Sequence, residues 1–365
     1  MASIRKREGK KVTSYQVVYR DQEGRSQTET FRNFNAARDF KRRVEYEVQS
    51  GTHISSSAGK VTPAEFYAEY RQRQVWEPGT YRNYDVAMRS CSFADVPFSK
   101  LRTAHAEKWV REMADSLAPG TIRTYVRCVK SVLSGAVRER HLVRSPLDGV
   151  PLPRLGTGQM HIPTPQQVGQ ILEGSEPHYR ALWAVCAFAG LRAGEAAGLK
   201  VEDVRFLQRQ LRVERQAGRD DRDGGVLVKS PKYASHRTVY VPDALLEILA
   251  AHIEMGTNGD WLFWGSGGQP PGHNVVGYQW RKMLDGLGLV RFRLHDLRHY
   301  FASGLIAAGT DVVTVQKQLG HKSASVTLNT YAHLWSTAED VTREAVAGLM
   351  DQTMGAHAVN TVQNA

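Results

Sequence analysis

The stretch Thr121-Ile-Arg-Thr-Tyr-Val-Arg-Cys-Val-Lys-Ser-Val-Leu-Ser-Gly-Ala-Val-Arg-Glu-Arg140 sets the reading of the middle of the chain. Ile122, Tyr125, Val126, Val129, Val132, Leu133, Ala136 and Val137 recur at spacings of three and four, which is one apolar face of a helix. Arg123, Arg127, Lys130 and Arg138 occupy the opposite face. Like charges four residues apart weaken an isolated helix by roughly 0.2–0.5 kcal/mol per pair. Such a stripe makes sense along an anion, although a solvated basic face is also common. Two helix starts are nearly one phrase, Pro78-Gly-Thr-Tyr-Arg-Asn-Tyr84 and Pro119-Gly-Thr-Ile-Arg-Thr-Tyr125, and in both the threonine is a candidate N-cap. Residues 64–145 are expected to be all helical.

Toward the N-terminus the period changes. Tyr15–Arg20 reads as a strand, Asp21–Gly24 as a turn and Arg25–Phe31 as a second strand. A helix follows from an N-cap at Asn35 to Gln49, with Ala36, Phe40, Val44 and Val48 spaced by four. This predicts a small α+β domain over residues 1–50, basic along Arg5, Lys6 and Arg7. Residues 51–63, rich in Ser, Gly and Thr, read as a flexible linker. Toward the C-terminus, five of the fourteen prolines fall between Ser145 and Pro165, with Gly149, Gly156 and Gly158 among them, so residues 146–164 read as a second linker. Beyond it the pattern predicts helices near 165–174, 177–190 and 192–199. Strands near 210–214, 226–229 and 237–241 follow, then helices to about Met350. The third domain, 165–354, is therefore expected to be mostly α with a small antiparallel sheet, and 355–365 to be a disordered tail.

Composition narrows the function classes. The 365 residues are 41% hydrophobic and 23% charged, which is globular rather than disordered or fibrous. The longest apolar run, Ala181–Leu191, is far short of the ~18 residues a membrane span needs. Three separated cysteines, Cys91, Cys128 and Cys186, make no CxxC pair and suit a reducing compartment. A soluble, cytoplasmic protein is expected, with no membrane contact. The net charge of +11 is unevenly placed: residues 1–59 carry +5, 60–155 carry +6 and 156–365 carry none. A basic front and a neutral back suggest a polyanion gripped by one part and acted on by another. A merely basic soluble protein fits the charge alone equally well.

The candidate chemistry lies in the neutral part. Ala189-Gly-Leu-Arg-Ala-Gly-Glu195 puts Arg192 at a helix start, where guanidinium and backbone donors converge on an anion. Glu195 equally fits as a plain partner for Arg192. Ser230-Pro-Lys-Tyr-Ala-Ser-His-Arg-Thr-Val-Tyr240 places Lys232 ahead of a strand, a position that is usually solvent decoration. In Leu294-His-Asp-Leu-Arg-His-Tyr300, His295 and Arg298 share a helix face. His295 and His299 have the spacing of a zinc-protease helix, but Asp296 stands where that motif needs Glu and no third ligand follows, so no metal is expected. Leu319-Gly-His321 and Tyr331-Ala-His333 complete the series. Taken singly, His321 fits a helix C-terminus and Tyr331 a core position.

In order, Arg192, Lys232, His295, Arg298, His321 and Tyr331 resemble the catalytic signature of the tyrosine recombinases, the phage integrase family. The phrases AGLRAGE, PKYASHRTV, HDLRHYFAS and LGHKSASVTLNTYAH are similar to that family's motif boxes. The resemblance extends to the whole chain: 1–50 resembles an arm-binding domain, 64–145 a helical core-binding domain and 165–354 the catalytic domain. Lys232 fits the PK-x-x-S-x-R register better than the neighbouring Lys229. What the resemblance implies is a site-specific DNA recombinase, an integrase that works through a 3′-phosphotyrosine. Tyr331 would be the nucleophile, His295 its base, Lys232 the acid for the 5′-oxygen, and Arg192, Arg298 and His321 the groups that stabilise the phosphoryl charge. It further implies double-stranded attachment-site DNA as partner, a homotetramer on that DNA, no cofactor, and a host DNA-bending protein and a directionality factor. DNA contacts would come from Arg5, Lys6, Arg7, Arg123, Arg127, Lys130 and Arg138. The apolar face Val341, Ala345, Val346, Leu349 and Met350 would dock on a neighbouring protomer or on its own domain. The runner-up readings are a type IB topoisomerase and a DNA-binding regulator with a dead site.

Overall fold

The computed structural model describes residues 2–8, 12–21, 24–156, 160–220, 224–232, 235–289, 292–335, 342–343 and 346–354. The chain divides into two compact units, Met1–Gly158 and Gln159–Ala365.

The first unit begins with an antiparallel sheet, β1 (Ser3–Glu8), β2 (Thr13–Arg20) and β3 (Ser26–Phe31), in that order. Sequence reading found β2 and β3 but not β1, whose run of charged side chains hid an edge strand. Helix α1 (Phe34–Gln49) closes over the sheet. Its cap is Asn33, whose side chain accepts from the Asn35 N–H, two residues earlier than expected. The buried stripe accordingly runs through Ala37 and Val44 rather than Ala36, and with Val17 and Tyr19 it makes a small core of its own.

The stretch expected as a flexible linker is partly ordered. Ser55 caps a short helix, α2 (Ser56–Lys60), and His53 is buried edge-on against Tyr19. Then come α3 (Pro63–Gln72), α4 (Pro78–Ser90), α5 (Thr103–Ala114) and α6 (Pro119–Arg138). In α4 and α6 the proline is the first helical residue, so the caps are Glu77 and Ala118 and not Thr80 or Thr121. The α6 face read from sequence is the core face: Ile122, Val126, Val129, Val132, Leu133 and Ala136 are buried with Phe66, Tyr70 and Trp109. Leu147, in the expected second linker, packs into this same core, so the division falls later, after Gly158.

The second unit starts with α7 (Pro165–Glu173), α8 (Pro177–Phe188) and the single-turn α9 (Ala193–Ala197). Helix α8 is buried at every position from Ala181 to Ala187, which accounts for the apolar run in the sequence. Strands β4 (Val204–Arg205), β5 (Gln210–Val213), β6 (Gln216–Arg219), β7 (Val226–Lys229) and β8 (Arg237–Tyr240) form a β4-β5-β8 sheet and a β6-β7 ribbon, all antiparallel. Helices α10 (Asp243–Glu254), α11 (His273–Leu287), α12 (His295–Ala307), α13 (Val312–Leu319) and α14 (Ala324–Tyr331) follow. Where α12, α13 and α14 meet, Ala302, Ile306, Val315, Leu319 and Tyr331 form a separate small core. Residues 346–354 are helical and expose Val346, Leu349 and Met350. Val341, Ala345 and the expected tail lie outside the described residues.

Gly135 sits inside α6 because its face abuts Tyr70: a Cβ there would stand 2.7 Å from the ring. That ring is buried and stacked on Phe66. Alanine is the better helix former by about 1 kcal/mol, but overpacking costs roughly 1–3 kcal/mol. Gly135→Ala should therefore lower the urea midpoint. A midpoint at or above that of the unchanged protein would show that Tyr70 can withdraw.

Candidate active site

The site is assembled around one carboxylate. Glu195, on α9, is 1% exposed. Its Oε1 accepts from Arg192 Nη1 at 2.6 Å, and its Oε2 accepts from Arg237 Nη2 at 2.8 Å and from the Arg192 backbone N–H at 3.0 Å. Arg298 Nη1 stands 3.9 Å from Oε2. Burial opposes the charge on Glu195, yet Arg237, Arg192 and Arg298 outweigh it and hold the carboxyl down at about 2. Arg192 is the N-cap of α9. The anion place that the sequence suggested at this helix start is thus filled by the chain's own Glu195.

Arg298 lies one turn into α12 and is 1% exposed. Nη1 donates to the Gly190 carbonyl at 2.6 Å, and Nη2 donates to the Leu319 carbonyl. Gly190 follows α8 with φ +64°, and a Cβ there would run into the Phe301 ring, so only glycine brings this carbonyl to the guanidinium. Gly320 ends α13 in the left-handed region. A Cβ on it would meet Arg237, whose Nε donates to the Gln318 carbonyl at 2.8 Å. Arg192 Nη2 reaches the Gly320 carbonyl at 3.5 Å. Three arginines from three elements therefore tie the α13 C-terminus and the following His321 to one point.

His321 is half-buried, and its Nδ1 lies 2.9 Å from Thr327 Oγ1. Burial first, then Arg298, Arg192 and Arg237, push it down to about 4. His295 opens α12 and keeps part of its ring in solvent. Desolvation first, then the neighbouring His299 and the positive Arg298 and Arg192, hold it below the ordinary imidazole value, with Asp296 opposing. Tyr331, the last residue of α14, is 1% exposed and packed in the small core. Burial pushes its phenol up to about 12 against the pull of Arg298 and Arg192.

The partner of that phenol differs from expectation. Tyr331 Oη lies 2.7 Å from Nδ1 of His299, not of His295. His295 touches the pair only through His299, edge-on with ring centroids 4.9 Å apart. With Nδ1 of His299 committed to the tyrosine, the zinc-type spacing of these histidines serves a different contact. Among the described residues no group of three or more His, Cys, Asp or Glu is arranged to hold a metal.

Of the six residues singled out in the sequence, Arg192, His295, Arg298, His321 and Tyr331 share this neighbourhood. Lys232 is exposed in the β7–β8 connection, its carbonyl accepting from the Ser235 N–H. No contact among the described residues joins it to the other five. Lys229, its rival, belongs to the β6-β7 ladder opposite Gln216. Sequence reading gave Arg237 no role, weighed His299 only as a metal-type partner of His295, and took Glu195 for a simple pair. The signal for Arg237 was its place as the arginine of the PK-x-x-S-x-R register. In the first unit, Arg5, Lys6 and Arg7 are exposed on β1, and Arg123, Arg127, Lys130 and Arg138 on α6. Arg123 donates to the Pro153 carbonyl at 3.1 Å and Lys130 pairs with Asp148 at 2.8 Å, so those two are also held within the chain.

Removing the central charge tests this arrangement. Glu195→Gln should cost on the order of 3 kcal/mol, since it leaves buried guanidiniums without their counter-ion. A depressed carboxyl adds stability that is full above the unfolded-state value of about 4.3 and is lost as pH falls toward the folded value. The gap in denaturant stability between the two proteins should thus be widest at neutral pH and shrink between pH ~4.5 and about 2. A gap constant across that range would show that the charge of Glu195 is not what matters.

The chain is similar to known proteins. The Phage integrase family matches residues 163–337. A "Tyrosine recombinase XerC-like" protein of Caldanaerobacter subterraneus is 26% identical over 290 residues, covering 70% of this chain and 72% of its own. The "Putative integrase/recombinase y4eF" of Sinorhizobium fredii is 32% identical over 214 residues, covering 58% of this chain and 78% of its own. Among solved structures, the Tn1549 transposon integrase in complex with a circular intermediate DNA superposes with a TM-score of 0.70 at 20% identity, over 79% of this chain and 99% of that one. A lambda integrase dimer bound to a COC′ core site superposes at 0.59 and 17% identity, over 88% and 94%. With Arg192, Arg237 and Arg298 gathered on one buried carboxylate and the motif-box tyrosine paired with a buried histidine, the chain belongs to the phage integrase family, the tyrosine recombinases.

Proposed function

We propose that the chain is a site-specific recombinase that cuts and rejoins double-stranded attachment-site DNA, integrating or excising a mobile element. The observation that carries this reading is the placement of Tyr331 within the field of Arg192 and Arg298, which share Glu195. In-line attack of the phenolic oxygen on the scissile phosphorus breaks the bond to the 5′-oxygen. The products are a 3′-phosphotyrosine ester and a free 5′-hydroxyl. Charge builds on the non-bridging oxygens, which Arg192, Arg298, His295 and His321 stabilise by hydrogen bonds. Lys232 supplies the proton to the leaving 5′-oxygen. The ester keeps the energy of the broken bond, so another strand's 5′-hydroxyl can reverse the step without ATP. Four protomers exchanging strands in pairs, with a host DNA-bending protein and a directionality factor, complete the reading.

Residues 1–50 act as the arm-binding domain and 64–145 as the core-binding domain. Support for the first is its separate core of Val17, Tyr19, Ala37 and Val44 and its edge strand exposing Arg5, Lys6 and Arg7. Support for the second is the exposed basic face of α6.

Two outcomes test this. Tyr331→Phe should bind DNA nearly as well as the unchanged protein, since one hydroxyl is lost among many phosphate contacts. It should form no covalent adduct on a nicked suicide duplex, whereas His333→Ala, exposed beyond the nucleophile, should still form it. An adduct with the Phe variant would place the nucleophile elsewhere.

Deleting residues 1–54 keeps the Ser55 cap of α2. It should spare cleavage of a short core duplex, sharply reduce recombination of full attachment sites, and flatten the salt dependence of binding to long DNA. Joint loss of core cleavage and thermal stability would instead make this segment a structural brace.

A further inference from the structure

The expected base for the nucleophile, His295, is not the imidazole that holds its hydroxyl. Tyr331 Oη and His299 Nδ1 stand 2.7 Å apart, both residues buried. We propose that His299 is a further catalytic residue, the acceptor of the Tyr331 phenolic proton when the DNA strand is cut and its donor when the strand is rejoined. The proposal rests on the recombinase reading and deepens it.

Three observations carry it. First, the contact is with the reacting atom itself, at hydrogen-bond length and in a dry setting bounded by Ala302, Ile306, Val315 and Leu319. Second, Arg298 and Arg192 both act on the phenol and pull against the rise that its burial causes. Third, the groups around His299 keep it ready to accept. Burial first, and Arg293 and Arg298 with it, lower its pKa, while Asp296 alone among its charged neighbours raises it. His295 stands edge-on at 4.9 Å on the same helix, and Tyr331 faces it from α14. At neutral pH the ring is uncharged, and in its Nε2–H tautomer the hydroxyl donates and Nδ1 accepts.

The step balances. The proton passes from Oη to Nδ1, Oη bonds to phosphorus, the bond to the 5′-oxygen breaks, and that oxygen takes a proton from the acid of the site. In religation the 5′-hydroxyl attacks, and the departing phenolate recovers its proton from the His299 imidazolium.

The test uses the full chain on a nicked suicide duplex built from the mapped ends of the element that carries the gene. Single-turnover adduct formation is followed beside DNA affinity and thermal unfolding. His299→Asn keeps a hydrogen-bond acceptor near Nδ1 without its basicity, and His299→Ala leaves room for an added base. Both should bind DNA normally and cut about 100-fold more slowly, the lower end of what a positioned base contributes. Imidazole in solution should restore cutting to the Ala variant, and pyrazole, the same size but far less basic, should not. Equal rescue by both would reduce His299 to a space-filling support. Cutting that is unchanged or faster in His299→Asn would make the contact a latch rather than a base and overturn the proposal. If His299→Ala fails to fold, the Asn variant still decides. An unchanged protein that makes no adduct, or an adduct that survives Tyr331→Phe, sinks the recombinase reading instead, and the two failures are thereby told apart.

Discussion

Three guanidiniums gathered in a largely dry site repel one another, and the carboxylate of Glu195 is what lets them stay. At an effective dielectric of about 20, two unit charges about 4 Å apart repel by about 4 kcal/mol. Three such cations would drive α9, β8 and α12 apart. Glu195 sits among them and reduces the cluster to a net +2. The remaining hydrogen-bond demand is met by backbone carbonyls of Gly190, Gln318, Leu319 and Gly320. Those carbonyls come from the end of α8 and the end of α13, so the same contacts that satisfy the arginines also fix the turn that carries His321. The two left-handed glycines belong to this constraint, because each gives up its side chain to let a guanidinium or an aromatic ring pass.

A residual charge of +2 suits a phosphodiester, which carries one negative charge at rest and more as attack proceeds. Arg192 keeps 23% of its side chain exposed while Arg298 keeps 1%, so in the proposed reaction the first meets the incoming phosphate and the second anchors the frame. Burial first, and the same positive field with it, lower His321 and His295, and neutral imidazoles donate to an oxyanion without adding to the crowding of charge. It also pulls the Tyr331 phenol down, but burial wins and the phenol ends at about 12. In the proposed reaction, a phenol made harder to ionise by its own packing needs a neighbour to take its proton.

Much of this was legible in the sequence, for a reason that also explains what was not. Periodicity reports on faces that are apolar along several turns, so the core stripe of α6 and the buried run of α8 were readable. The motif boxes brought out five of the residues that share the site. Strands β1, β4 and β6 were missed: β1 is crowded with charge, β4 is two residues long, and Gln-Ala-Gly-Arg in β6 lacks the β-branched residues that mark a strand. The caps of α4 and α6 were misplaced because proline at the first helical position outweighs a threonine two residues later. The partners of Arg237 and His299 were hidden for a deeper reason. Each is a single polar residue whose partner lies far along the chain, 42 residues away for Arg237 and Glu195, 32 for His299 and Tyr331. No local pattern encodes such a pair; only the packing of α9 against β8, or α12 against α14, creates it.

The uneven charge of the chain follows from the same division of labour. Residues 156–365 balance Lys and Arg against Asp and Glu, yet three of their arginines share the single buried carboxylate of Glu195, while Asp203 and Asp296 pair with arginines elsewhere. At Glu195 the charge is gathered at one place, three cations on one anion. Residues 1–155 carry the whole surplus, and their arginines stand mostly on exposed faces where water screens each one. Spread charge of that kind suits a backbone of regularly repeated phosphates, which rewards number more than precision of placement. Focused charge suits one reacting phosphorus, where an error of about 1 Å in position can cost a hundredfold in rate. A single net charge for the whole chain hides this contrast, and it becomes visible only when the arginines are sorted by what they touch.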